Sequence, residues 1–155
     1  MKIKSLPELK TIVAGLKKKG KKIVFTNGCF DILHPGHSYY LKKAKKKGDI
    51  LVLGLNSDSS VRELKGRGRP LVSERGRVEI LSAMESVDYI VIFDENTPER
   101  LIKEISPDVL VKGGDYKKEE VKGRKFVESK GGKVIIIPFL KGYSTTNLIK
   151  KIKRL

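Results

Sequence analysis

The sequence predicts an α/β fold: an open, mainly parallel five-stranded sheet with helices on both faces. Three observations lead there. Apolar runs alternate with amphipathic segments along the whole chain. The run Asp49-Ile50-Leu51-Val52-Leu53-Gly54-Leu55 is almost continuously apolar, as strands buried on both faces are. Helix-opening signals stand before several amphipathic segments, Ser5-Leu6-Pro7-Glu8, Thr97-Pro98-Glu99 and Ser144-Thr145-Thr146 among them. At 155 residues, the chain fits one domain, 1–155, with a core of its own.

The elements follow in order. Ser5 to Glu8 reads as a capping box with proline in the first turn. It opens a short N-terminal helix over 5–19, packed on the domain and stopped near Gly20. Lys22 to Asn27 is a short buried strand. The loop from Gly28 to Pro35 leads into a helix over 36–47. Asp49 to Leu55 is the second strand. The stretch 56–74 carries no clear period and holds the basic, glycine-rich run Lys65-Gly66-Arg67-Gly68-Arg69-Pro70. A helix over 74–86 precedes the strand Tyr89 to Phe93, and a helix from Thr97 to Ile105 follows it. Asp108 to Lys112 is a strand ending in Gly113-Gly114-Asp115. A helix over 119–129 leads to the strand Lys133 to Ile137, and a last helix runs from Ser144 to the C-terminus. Strands alternating with helices in this way give a Rossmann-like sheet, covered on both faces.

Composition narrows the class. The formal charge is +16, most of it lysine. A chain so basic either binds a polyanion or carries the lysine-rich surface of proteins from very hot environments. Charged residues at 34%, a lone cysteine and no tryptophan favour the second. The lysines also fall on solvated helix faces such as Lys42-Lys43-Ala44-Lys45-Lys46-Lys47, so no nucleic-acid partner is expected. No apolar run reaches the length of a membrane span, and the N-terminus lacks a secretory signal. Cys29, the single cysteine, cannot form an internal disulfide. A cytoplasmic protein with no membrane partner is expected.

In open parallel sheets ligands bind outside the carboxyl ends of the strands. Four segments follow strand ends: 27–37, 56–70, 112–116 and 140–146. They contain both histidines of the chain, the Arg/Gly-rich loop, a Gly-Gly-Asp turn and a Ser-Thr-Thr helix start. His34-Pro35-Gly36-His37 is the strongest of these motifs. Its imidazoles sit at a loop-to-helix junction, where free N–H groups and the helix dipole suit a phosphate, and Gly36 lets a ligand approach the backbone. A plain helix cap and a metal-binding pair are the competing readings, and no Cys/His/carboxylate set completes a zinc site. Tyr143-Ser144-Thr145-Thr146 can cradle an anion or simply cap a helix. The basic side chains of Lys65 to Arg69, with Arg77, can close over a triphosphate or lie on a solvated surface. Lys112-Gly113-Gly114-Asp115 can bring a base or ribose against backbone, or form only a tight turn. Cys29 lacks an evident partner base for nucleophilic work. There is no Walker A motif and no full Gly-x-Gly-x-x-Gly fingerprint.

His34-Pro35-Gly36-His37 and Gly142 to Thr146 resemble the two signatures of the cytidylyltransferase-like nucleotidyltransferase superfamily. Phe25 to His37, Asn56-Ser57-Asp58, Leu64-Lys65-Gly66 with Arg69-Pro70, and Val111 to Tyr116 are similar to blocks of its D-glycero-β-D-manno-heptose 1-phosphate adenylyltransferase family. The resemblance runs over about 5–153, and without a fused kinase segment the chain looks like the stand-alone form. The family implies ATP and a sugar 1-phosphate as substrates, Mg²⁺ carried with ATP, an ADP-heptose product for lipopolysaccharide core or other surface glycans, and a homodimer. Gly76 inside the expected helix start is a departure, and it leaves Arg75 and Arg77 both open for the family's arginine, with spacing to Leu81 favouring Arg77.

Roles follow from that resemblance. A phosphate with a second pKa of about 6 is already ionised, so no general base is needed, and the chemistry is in-line displacement without a covalent intermediate. His34 and His37 are expected to hydrogen-bond the phosphates, and Lys65 and Arg77 to screen them. Ser144, Thr145 and Thr146 would hold the β- and γ-oxygens. Cys29, Phe30, Gly36, Lys112, Gly113, Asp115 and Tyr143 would form the nucleotide pocket. Asn27, Asp31 and Asn56 would serve the sugar side or order the loop. The competing functions are a cytidylyltransferase for glycerol 3-phosphate or ethanolamine phosphate, an adenylyltransferase for a cofactor precursor, and a basic nucleic-acid-binding module. The last predicts salt-dependent DNA or RNA binding without need of both histidines.

Overall fold

The structure, a computed structural model, describes residues 1–114 and 116–155. Strands β1 (Ile23–Gly28), β2 (Ile50–Asn56), β3 (Tyr89–Phe93), β4 (Val109–Gly113) and β5 (Lys133–Ile137) form one sheet in the order β3-β2-β1-β4-β5. Every neighbouring pair is parallel, with Phe25 opposite both Val52 and Leu110. The expected fold class therefore stands, with all five strands parallel.

The strands read as apolar because both faces are covered. Residues of one parity, including Phe25, Val52, Val91, Leu110 and Val134, join a core with Leu9 and Val13 of α1 (Leu6–Lys18), Leu101 and Ile102 of α5 (Glu99–Ile105) and Val127 of α6 (Arg124–Ser129). Residues of the other parity, including Val24, Leu51, Leu53, Ile90 and Val111, pack with Leu41 and Ala44 of α2 (Pro35–Lys45) and Leu81 of α4 (Glu74–Ser82). This is the two-residue period of a strand realised on both sides at once. Gly54 is the exception on β2, since a Cβ there would meet Phe25 Cζ at 2.9 Å and Leu101 Cδ2 at 3.1 Å. Ser5 caps α1 with the expected capping box, and Ile3 bridges Ile90 at the β3 edge.

Three boundaries differ from the sequence reading. Helix α3 (Asp58–Lys65) occupies part of the stretch with no clear period. It is capped by the Ser57 side chain and buries only Ser60 and Val61, so its apolar stripe is too thin to see. Helix α4 stops at Ser82 rather than Ser86. The helix expected over 119–129 divides into a 3₁₀ turn, Lys118–Glu120, and α6, because Gly123 takes a left-handed conformation at φ 84° between them. The final helix, α7 (Thr145–Ile152), starts on Ser144.

Strand order reverses between β1 and β4. The crevice outside the carboxyl ends of those two strands is where such sheets hold ligands, and β1 delivers the His34–His37 loop to it.

Candidate active site

Two cavities meet at that crevice. The first, of 330 Å³, is lined by His34, Gly36 and His37 of the α2 start, Lys112 and Gly113 of β4, Tyr143, Ser144 and Thr145 of the α7 start, and Asn27, Cys29 and Phe30 after β1. The second, of 490 Å³, takes in Asp31, Asn56, Lys65, Arg69 and Thr146. Both touch Asn27, Cys29, Phe30, His37, Lys112 and Thr145, which form the wall between them. The twin imidazoles and the distant hydroxyl cluster therefore face one space.

The histidines are arranged by the helix start. His34 is the N-cap of α2 in extended backbone, and its N–H donates to His37 Nδ1 at 3.4 Å. A neutral imidazole that accepts at Nδ1 carries its proton on Nε2. The two rings stack with centroids 3.8 Å apart. Burial, and then the charge His34 would carry, depress the His37 pKa to about 4. Burial lowers His34 as well. Both imidazoles are thus neutral donors at pH 7 rather than cations. His34 Nδ1 is buried without a partner, pressed against Gly36, where an added Cβ would lie 2.9 Å from that nitrogen.

Charge comes from lysines. Lys112 Nζ donates to Asn27 Oδ1 at 3.0 Å, and burial pulls its pKa down. Lys65 is exposed at the end of α3. Ser144 Oγ accepts the Asn147 N–H at 3.0 Å, while Thr145 Oγ1 donates to the Ile32 carbonyl at 3.3 Å and ties α7 to the histidine loop. Burial pushes the Cys29 thiol up, against the pull of Lys65, Arg77 and Arg69, which leaves it a poor nucleophile.

Arg77 does not sit where the sequence reading put it. Its side chain is fully buried. The guanidinium donates to the Cys29 and Asn56 carbonyls at 2.7 Å each, to Val72 O at 3.1 Å and to Asp58 Oδ1 at 2.8 Å. With those acceptors taken and no exposed surface, it cannot screen a triphosphate. It ties the loop after β1 to the end of β2 and the start of α3. Arg75 is exposed and lines neither cavity.

Asp31 likewise orders the loop. Its carboxylate is buried and accepts the Leu71 and Val72 N–H groups at 2.7 and 2.8 Å, and it pairs with Arg69. Burial pushes its pKa up, but those N–H donors and Arg69 outweigh it and hold the carboxyl below its ordinary value. Between Cys29 and Asp31, Phe30 holds φ 46°, a conformation that costs a non-glycine residue about 1–3 kcal/mol. Asn56 is buried and donates to Ser60 Oγ at 2.9 Å. Asp115 lies outside the described residues.

The sequence reading missed Tyr40, Phe139 and Leu140 as walls of the first cavity, and Asn96, Thr97, Pro98, Glu120 and Lys122 as walls of the second. Phe139 is 67% exposed beside the Gly113-Gly114 turn, and a large aromatic left in solvent just past a strand end was the one available signal.

The cytidylyltransferase-like family model matches residues 25–151. The bifunctional protein HldE of Geobacter metallireducens is 60% identical over 153 residues, which are 99% of this chain and 31% of that protein. The chain thus spans about a third of the length of that relative. The crystal structure of the lipopolysaccharide core biosynthesis protein from Thermoplasma volcanium is 33% identical, with a TM-score of 0.64 over 81% of this chain and 100% of that one. Pantothenate synthetase from Thermus thermophilus, at 15% identity and a TM-score of 0.67 over 99% of this chain and 70% of its own, shares the fold. Among the described residues, no helix is long and apolar enough to cross a membrane.

Proposed function

The chain belongs to the cytidylyltransferase-like family, and from that premise we propose that it transfers AMP from ATP to D-glycero-β-D-manno-heptose 1-phosphate, forming ADP-heptose and releasing pyrophosphate. The observation that carries this reading is the shared wall. His37, Lys112 and Thr145 stand between two abutting cavities, one for each polyanion. The Thermoplasma volcanium relative, by its name a protein of lipopolysaccharide core biosynthesis, supports a surface-glycan destination for the product.

An oxygen of the sugar phosphate attacks the α-phosphorus of ATP. The new O–Pα bond forms as the bond to the bridging oxygen breaks, and pyrophosphate leaves with the electron pair. His37 Nε2–H and His34 donate to the α-phosphate oxygens, where charge is most crowded in the transition state. Lys112 and Lys65 offset the repulsion of the two phosphates, and the free N–H groups of the α7 start hold the triphosphate tail. Among the described residues, no cluster of three or more His, Cys, Asp or Glu side chains could hold a metal ion. Mg²⁺ belongs in this scheme to the ATP complex as substrate.

A panel of ATP and CTP against heptose 1-phosphate, glycerol 3-phosphate, ethanolamine phosphate and phosphopantetheine, read by pyrophosphate release, tests the reading. Turnover with ATP and heptose 1-phosphate well above all other pairs is expected. A clear preference for CTP or for a non-sugar acceptor refutes it.

A further inference from the structure

We infer that Asn96, Thr97, Glu120 and Lys122 form the acceptor subsite and select a neutral, hydroxyl-rich ring. The inference rests on the proposed reaction. All four line the second cavity and none lines the first. They come from two segments, the β3–α5 connection and the 3₁₀ turn after β4 with the residues just beyond it.

The chemistry of the set identifies its ligand. A carboxylate in the cavity that receives the acceptor repels its phosphate, so Glu120 is misplaced for contact with that group. Its neighbour Glu119 lies 3.7 Å from Arg124, which also pairs with Glu128. Glu120 makes no ion pair of this kind among the described residues. An ionised carboxylate only accepts hydrogen bonds, and an ammonium only donates them. The Asn96 amide and the Thr97 hydroxyl do both, although Thr97 Oγ1 already donates to Glu99 at 3.3 Å. An acceptor, a donor and two groups of mixed character match the alternating hydroxyls of a sugar. Glu120 alone would also suit the cation of an amino alcohol, but Lys122 in the same cavity opposes that cation. A short alkyl phosphate would leave the set unpaired, and sites built for hydroxyls discriminate strongly against ligands that lack them.

The test uses the full chain with Glu120→Gln and Asn96→Ala, both at exposed positions. Each variant is expected to raise the acceptor KM about tenfold, to leave the KM for ATP within about twofold, and to narrow the preference for the sugar 1-phosphate over glycerol 3-phosphate and ethanolamine phosphate. If wild-type turnover of the sugar phosphate is normal and neither variant moves the acceptor KM, the subsite is wrong while the proposed function stands. If the wild type uses no sugar 1-phosphate, the function falls and the subsite with it.

Discussion

Arg77→Met tests whether the fully buried arginine of α4 is a scaffold or a phosphate ligand. Methionine keeps much of the apolar stem and removes the charged head. The Cys29 and Asn56 carbonyls, each 2.7 Å from the guanidinium, lose their donor, and hydrogen bonds from a charged group contribute about 1.5–3 kcal/mol apiece. The Val72 contact adds less. The Asp58 carboxylate is 33% exposed, so solvent replaces most of that pairing, and it counts for at most about 1 kcal/mol. These terms are not additive, and a net loss of about 3–5 kcal/mol is expected, as when one partner of a buried pair is removed. In a chain of this size that is a drop of roughly 6–20 °C in Tm. Urea unfolding gives the free energy directly. Because Arg77 also holds the Cys29 carbonyl next to the strained Phe30, turnover falls too, while ATP affinity of the folded fraction changes little. Arg77→Lys should lie between, since one ammonium cannot reach all four acceptors. If Arg77→Met unfolds within about 1 kcal/mol of wild type yet loses ATP binding, the arginine works on phosphate and the scaffold argument fails.

The site makes three further predictions. His37→Ala should lower kcat by roughly 10²–10³ with the fold intact at pH 7.5, the loss typical of one preorganised donor; near-normal turnover would remove the histidine from the chemistry. The His37 pKa lies near 4 in the folded chain against 6.5 as the ordinary value. The unfolded chain therefore takes up more protons between those values, so His37's contribution to stability is complete above about pH 6.5 and is lost as pH falls through that window towards 4. Urea midpoints from pH 7.5 to 4.5 should decline more steeply in wild type than in His37→Asn, and parallel curves would refute the assignment. Gly36→Ala puts a Cβ 2.9 Å from the His34 ring and 3.2 Å from Tyr143 Cβ; a loss of about 1–3 kcal/mol from overpacking and a turnover drop of at least about tenfold are expected, with kcat as the readout.

Much of the fold was legible because burial on both faces writes itself into a strand as continuous apolarity. Val24 and Phe25 serve opposite cores, so neither can be polar. Helix α3 escaped for the converse reason, since a helix that buries only Ser60 and Val61 has almost no apolar stripe. The histidine wall was legible because a rare residue type was concentrated at one loop-to-helix junction. Arg77 was misread because sequence gives residue type and not direction. Its spacing to Leu81 separated it from Arg75, but a position one turn before a buried leucine on the same face marks an inward side chain rather than a phosphate contact. Glu120 and Lys122 carry no signal at all, because they reach the cavity through a turn set by the left-handed Gly123 and not through any spacing of their own.

Burial of the histidines is itself an argument about catalysis under the proposed reaction. A fixed cation attracts ATP and sugar phosphate about as strongly before reaction as during it, and such uniform binding tightens substrates without speeding the step. Lys65 and Lys112 are suited to that task, gathering two anions that would otherwise repel. A neutral imidazole of low pKa is suited to another. His37 keeps its proton on Nε2 because Nδ1 is occupied by the His34 N–H, and the stacked ring beside it makes a second positive charge unfavourable. Its hydrogen bond therefore strengthens chiefly as negative charge builds on the oxygens at the α-phosphorus. The site separates the two duties by charge state, with lysines as the cations of the cavity walls and imidazoles beside them kept neutral by burial, so that attraction and acceleration come from different side chains.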